Sequence, residues 1–190
     1  MDTFGFYLDL GFWHVIDWEG LDHFFFIITL AIPFTFAESK KLIWWVTLFT
    51  FGHTLSLVGN FYAEIPFSSY WIELLIPITI GLSAASLLWQ KNTFFFSHRI
   101  FFPLITVLFG VIHGLGFGRY FAMLVPEDAV TLSLFSFALG VEFAQLAIVL
   151  IALLVNWVVV DFLKQIKFNW EFLIGAMILS QAVSMILERI

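Results

Sequence analysis

Residues 130–156 read VTLSLFSFALGVEFAQLAIVLIALLVN, a run whose single charged side chain, Glu142, falls near its middle. About 20 mostly apolar residues in helical form are enough to cross the hydrocarbon core of a bilayer. This stretch is longer than that, and it has no period-2 alternation that would suit a half-buried strand. It therefore reads as a transmembrane helix. Five further apolar runs lie to either side, and they predict spans at about 22–38, 42–60, 70–89, 100–119 and 169–187. The expected fold class is all-α: a polytopic transmembrane helical bundle of about six spans, with residues 1–190 as a single integral membrane domain. Residues 1–21 are apolar but short and acidic, and predict an interfacial or re-entrant helix.

The whole-chain composition agrees. Of 190 residues, 62% are hydrophobic and 12% charged, against roughly 45–50% and about 25% in soluble domains. Mean hydropathy is +1.01. Polar punctuation separates the spans, and Trp44, Trp45, Trp71, Trp89, Trp157 and Trp170 stand beside it, as expected of interfacial rings. There is no basic run, so nucleic acid is excluded as a partner. There is no cysteine, which excludes disulfides, thiolate metal sites and cysteine nucleophiles. The acidic N-terminus lacks the basic region of a signal peptide and reads as mature chain.

Lys40, Lys41, Lys91, Arg99, Lys164 and Lys167 fall between alternate spans. The positive-inside rule then puts both termini outside and these loops in the cytoplasm of a multi-pass cell-membrane protein.

Ionisable side chains inside a membrane are costly and need a partner or a role. Here they are His14, Asp17, Asp22, His23, His53, His113 and Glu142. They come from different spans yet share the outer half or the midplane. Imidazole with carboxylate suits zinc, nickel, cobalt or iron, so these seven are candidate ligands for a divalent transition metal. Gln145, one turn beyond Glu142, and Glu73, which opens the third span, are candidates for orienting the ligands. Gly110, Gly114 and Gly118 form a small-residue stripe, a candidate contact for a second copy or a membrane-complex partner. The alternative for any single histidine is a plain interhelical hydrogen bond, and for Glu142 a protonated structural acid or a proton carrier.

Several segments, in order, resemble the HupE/UreJ family of small bacterial membrane proteins: His14-Val-Ile-Asp17, Leu21-Asp-His23-Phe-Phe-Phe26, Phe49-Thr-Phe-Gly-His53-Thr-Leu-Ser56, Glu73-Leu-Leu-Ile-Pro77, Phe109-Gly-Val-Ile-His113-Gly-Leu-Gly-Phe117 and Gly140-Val-Glu142-Phe-Ala-Gln145. The resemblance implies an inner-membrane protein of six or seven spans associated with nickel or cobalt uptake, with His14, Asp22, His23, His53, His113 and Glu142 as its functional set. One spacing departs from the nickel permeases of that family. His14 stands further ahead of Asp22-His23, and the added residues include Asp17 and Glu19; another branch shares this longer form. A divalent metal permease is thus the leading expectation. An intramembrane metal-dependent hydrolase acting on a lipid-like substrate, and a metal sensor or assembly subunit, are the alternatives.

Overall fold

The computed structural model describes residues 2–18, 20–63, 68–88 and 101–190, apart from the side chains of 101 and 102. Glu64, Trp89, Lys91, His98 and Arg99 lie outside the described residues, and with them part of the expected loop charge. Among the described residues every regular element is helical: α1 (Thr3–Ile16), α2 (Asp22–Ala31), α3 (Ser39–Ala63), α4 (Ser69–Ser86), α5 (Phe101–Leu124), α6 (Val130–Asn156) and α7 (Lys167–Leu187). The last five are long and apolar enough to cross a membrane.

The span expected at 22–38 differs from this. It holds only the ten-residue α2, followed by a 3-10 turn at Phe36–Glu38. Pro33 explains the stop, because it offers no N–H and disfavours helix at the residue before it. Pro77, by contrast, is carried inside α4, where neighbouring helices cover the break. At the far end α6 runs on into a π-helical turn, Trp157–Phe162.

Two seams hold the bundle together, and both are built the same way. Along α3 and α5 a Cβ on Gly110 would collide with the Phe49 carbonyl, and one on Gly52 with the Val107 carbonyl. Along α1 and α6 a Cβ on Gly140 would collide with the Leu8 carbonyl, and one on Gly11 with the Phe137 carbonyl. In each pair each helix offers a glycine to the other's backbone, so the axes approach as closely as helices can. The Gly110, Gly114 and Gly118 stripe is thereby covered by Phe49, His53, Ser56 and Asn60 of α3. The expected use of that stripe by a second chain is corrected here: its partner is within the molecule. A third pairing, α4 with α7, is antiparallel, with Arg189 near the start of α4 donating to the Glu73 carbonyl.

The short α2 ends deep in the structure, and its last carbonyls need partners. Asn156 supplies them, donating through Nδ2 to the Ile32 and Phe34 carbonyls at 2.8 and 3.2 Å. Its Oδ1 accepts from the Trp170 indole at 2.7 Å. Lys167 donates to the Pro33 carbonyl at 2.7 Å and pairs with Glu171 at 3.6 Å. Of the tryptophans expected at the interface, Trp44, Trp71 and Trp157 are exposed and Trp170 is half-buried. Trp45 is instead buried against Phe34, with ring centroids 4.8 Å apart.

Candidate metal centre

Four histidines from four helices meet in the interior. His14 closes the last turn of α1, His23 is the second residue of α2, His53 lies within α3, and His113 within α5. Ring centroids are 4.8 Å apart for His14–His23, 5.3 Å for His23–His53, 5.7 Å for His14–His53 and 5.4 Å for His23–His113. The seams explain the meeting. The Gly110 contact reaches the His53 backbone itself, and the Gly114 contact is its carbonyl, so α5 brings His113 to the level of His53. The Gly11–Gly140 seam fixes α1, and the break after Ile16 turns the chain back so that His23 opens α2 beside His14.

His23, His53 and His113 are 1–2% exposed. Two of them are oriented by their other nitrogen. His23 Nδ1 lies 3.1 Å from Asp22 Oδ1, and His113 Nδ1 lies 2.8 Å from the Phe109 carbonyl. An acceptor at Nδ1 places the proton there and leaves the Nε2 lone pair free. In all four rings Nε2 is buried and makes no hydrogen bond. Buried polar atoms are overwhelmingly paired, so four unmet imidazole nitrogens in one place are a set of donors without a Lewis acid. One ligand atom from each of His14, His23 and His53 lies within 4.8 Å of the others. Two metal–nitrogen bonds of about 2.0–2.1 Å put their nitrogens at most about 4.2 Å apart, and about 3.4 Å apart at a tetrahedral angle, so the three rings would have to draw together to share one ion. The donor chemistry fits a borderline transition metal.

Aromatic rings close the cluster on two sides. Phe117 stacks on His14 (4.1 Å between centroids) and on Phe137 (5.3 Å), with Phe121 behind. On the other side Phe26 stacks on Phe49 at 4.8 Å and both rings touch His113.

The remaining expected residues are placed differently. Asp22 joins the cluster as the partner of His23. Asp17 caps the C-terminus of α1 and is exposed. Glu73 is exposed on the first turns of α4. Glu142 is not brought into the histidine group. Its Oε1 accepts from Thr47 at 2.6 Å and its Oε2 lies against the Thr50 hydroxyl, which is also 3.0 Å from Gln145 Oε1. Sequence reasoning missed Thr47, the orienting carbonyl of Phe109 and the aromatic walls. The Thr47/Thr50/Thr54 spacing along one helix was the available signal for the first. A cavity of about 970 Å³ between α2, α6 and α7 is lined almost wholly by apolar side chains and has the character of a lipid-facing groove.

Fold and site together define a polytopic helical membrane protein with a buried polyhistidine centre. The sequence family described as HupE / UreJ protein matches residues 1–189, and the chain belongs to it. No curated protein and no solved structure matches the chain.

Proposed function

We propose that this protein is a divalent transition-metal permease of the cell membrane, with nickel or cobalt as the leading substrates. The ion would be gripped by His14, His23 and His53, with His113 as the next donor. The observation that carries the reading is the group of four buried Nε2 atoms without partners, three of them on side chains whose ligand atoms lie within 4.8 Å of one another. Membership of the HupE/UreJ family supports metal handling. The aromatic walls on both sides suit an occluded state of a carrier, in which the site is closed to both faces while the ion is held. A carrier must bind without trapping, and a site of neutral imidazoles without a direct carboxylate ligand meets that need better than one with several anionic ligands. The loop charges favour both termini on the outer side.

The test combines occupancy and flux. The purified protein is loaded with Ni(II) or Co(II) in nanodiscs and then assayed for uptake in proteoliposomes. We expect about one ion per chain, lost in His53→Ala, and accumulation inside the vesicles. Wild type that retains no more metal than His53→Ala would remove the metal reading altogether. Tight occupancy without flux would remove the permease and leave a resident metal.

A further inference from the structure

The two glycine seams are one construction met twice. In each, a glycine faces the carbonyl three residues before its partner's glycine: Gly11 the Phe137 carbonyl and Gly140 the Leu8 carbonyl, Gly110 the Phe49 carbonyl and Gly52 the Val107 carbonyl. The sequence repeats with the contacts. Leu8-x-x-Gly11-x-x-His14 of α1 matches Val107-x-x-Gly110-x-x-His113 of α5, and Phe137-x-x-Gly140 of α6 matches Phe49-x-x-Gly52 of α3. The two pairs point in opposite directions. α3 and α5 run together, since the Gly110, Gly114 and Gly118 contacts climb α3 from Phe49 through His53 to Asn60. α1 runs against α5: Tyr7 meets Phe121 and donates to the Leu124 carbonyl at 2.7 Å, whereas His14 further on meets Phe117. α6 runs against α3, because Thr50 meets Glu142 and Gln145 whereas His53 meets Phe137. One pair is thus the other turned over across the membrane, an inverted repeat.

The relation passes through the histidine centre. It exchanges His14 with His113 and Phe137 with Phe49, and the rings obey it. Phe137 lies 5.6 Å from His14 and 6.1 Å from His53, and Phe49 lies 5.2 Å from His113 and 5.8 Å from His23. His14 to His53 is 5.7 Å, and His113 to His23 is 5.4 Å. His23 and His53 therefore take matching places, 5.3 Å apart. Val141 follows Gly140 where His53 follows Gly52, so the repeat is a valine short of a second imidazole there, and His23 of α2 supplies the ring instead. The symmetry is broken at one point. His14 is also 4.8 Å from His23, and it is His14 whose ligand atom lies within 4.8 Å of those of His23 and His53. His113 stands outside that group, with its Nδ1 on the Phe109 carbonyl and its buried Nε2 unmet.

We propose that the centre is two overlapping half-sites that share His23 and His53. His14 completes the half-site gathered in this structure, and His113 completes its inverted counterpart. Transport exchanges one third ligand for the other, as α1 and α6 rock as one body against α3 and α5. The proposal rests on the permease reading above and adds how a site walled on both sides opens on one at a time. Phe117 and Phe137 cover the His14 side, and Phe26 and Phe49 the His113 side. Within each pair the backbones touch at the glycines, which makes the pair stiff. Between the pairs, α3 meets α6 through the side chains of Thr47, Thr50 and His53, contacts that can slide. Turned-over copies of one construction give two arrangements of similar energy, with the ion site at their interface.

The whole chain, as wild type, His14→Ala, His113→Ala and the double variant, is titrated with Co(II) in nanodiscs and assayed for Co(II) uptake in proteoliposomes. Each single variant keeps one half-site. Each should still bind about one ion per chain, more weakly than wild type by at most about 10–1000-fold, the factor for confining the ion to a state populated at about 0.1–10%. The double variant keeps neither half-site and should bind at least about tenfold more weakly than either single variant. Neither single variant should accumulate Co(II), because the ion can occupy one arrangement and not the other. Leucine at the same positions fills the space and must reproduce the pattern if the alanine proteins do not fold. His14→Ala that binds as weakly as the double variant, or His113→Ala that transports like wild type, overturns the exchange and leaves the permease standing. Wild type that binds Co(II) without uptake overturns the permease and the exchange with it. Wild type that binds none overturns the metal reading beneath both.

Discussion

Two buried polar clusters at the ends of α2 handle the same difficulty in opposite ways. At the end of α2, Asn156 and Lys167 meet the loose carbonyls of Ile32, Pro33 and Phe34 donor for acceptor, and the Trp170 indole meets the Asn156 Oδ1. At the start of α2, four imidazoles converge and every Nε2 is left unmet. Asn156 is 6% exposed and His23, His53 and His113 are 1–2% exposed, and an unpaired polar group so buried is costly. A polar group buried for structural reasons is satisfied by the chain itself, as Asn156 is. The histidine set, with two of its rings oriented from behind, leaves all four Nε2 atoms unmet, and the proposed function assigns them to an ion. The same ten-residue helix carries both ends, which makes the contrast open to experiment.

The largest effect should come from the open cluster. His23→Ala removes the ring that neighbours all three others, and we expect Ni(II) affinity to fall by more than about 100-fold, beyond the 10–100-fold that partners outside the ligand set confer. The helical circular-dichroism signal should be unchanged, because no hydrogen bond at Nε2 is lost. If His23→Ala instead unfolds the protein without altering affinity in the folded fraction, the two clusters are alike after all. Asn156→Leu comes next. It strands two carbonyls and an indole N–H, and we expect a loss of about 2–4 kcal/mol in an unfolding titration. Affinity for the ion should change less than tenfold, since none of these contacts orients a histidine.

Asp22→Asn probes the boundary between the clusters. An amide oxygen can still accept from His23 Nδ1 but without the charge, so the ring keeps its place and becomes a poorer donor. The expected cost is 10–100-fold in metal affinity, read by calorimetric titration against wild type, with little change in stability. An Asp22→Asn protein that loses stability and keeps its affinity would make Asp22 a helix-start residue only.

The sequence made the bundle and its participants legible, because both follow from how costly polar groups are in lipid. The run at 130–156 appears as α6 with the expected bounds, and His14, Asp22, His23, His53 and His113 come together. What could not be read is which seam brings each residue where. Pro33 marks the end of a helix, but not that Asn156, more than 120 positions away, meets the Ile32 and Phe34 carbonyls just beyond it. Glu142 shares a depth with the histidines, and depth alone placed it among the ligands. Its direction is set by where Gly140 docks on α1, which turns the carboxyl toward Thr47 and Thr50. Depth is a property of one helix and is written in its composition. Facing is a property of a pair and rests on glycines whose partners the sequence does not name.

The smallest effect sharpens the comparison most. Trp170→Phe keeps the ring volume and deletes one N–H, the donor that holds Asn156 Oδ1 at 2.7 Å. The two bonds from Asn156 Nδ2 to Ile32 and Phe34 remain. Interhelical hydrogen bonds in membranes average about 0.6 kcal/mol, because the unfolded chain also finds partners there. A loss near 0.6–1 kcal/mol, with metal affinity unaltered, would mean that the satisfied cluster is a sum of ordinary bonds. A loss as large as that of Asn156→Leu would mean that the indole fixes the amide orientation on which both carbonyls depend. The end of α2 would then stand or fall as a unit.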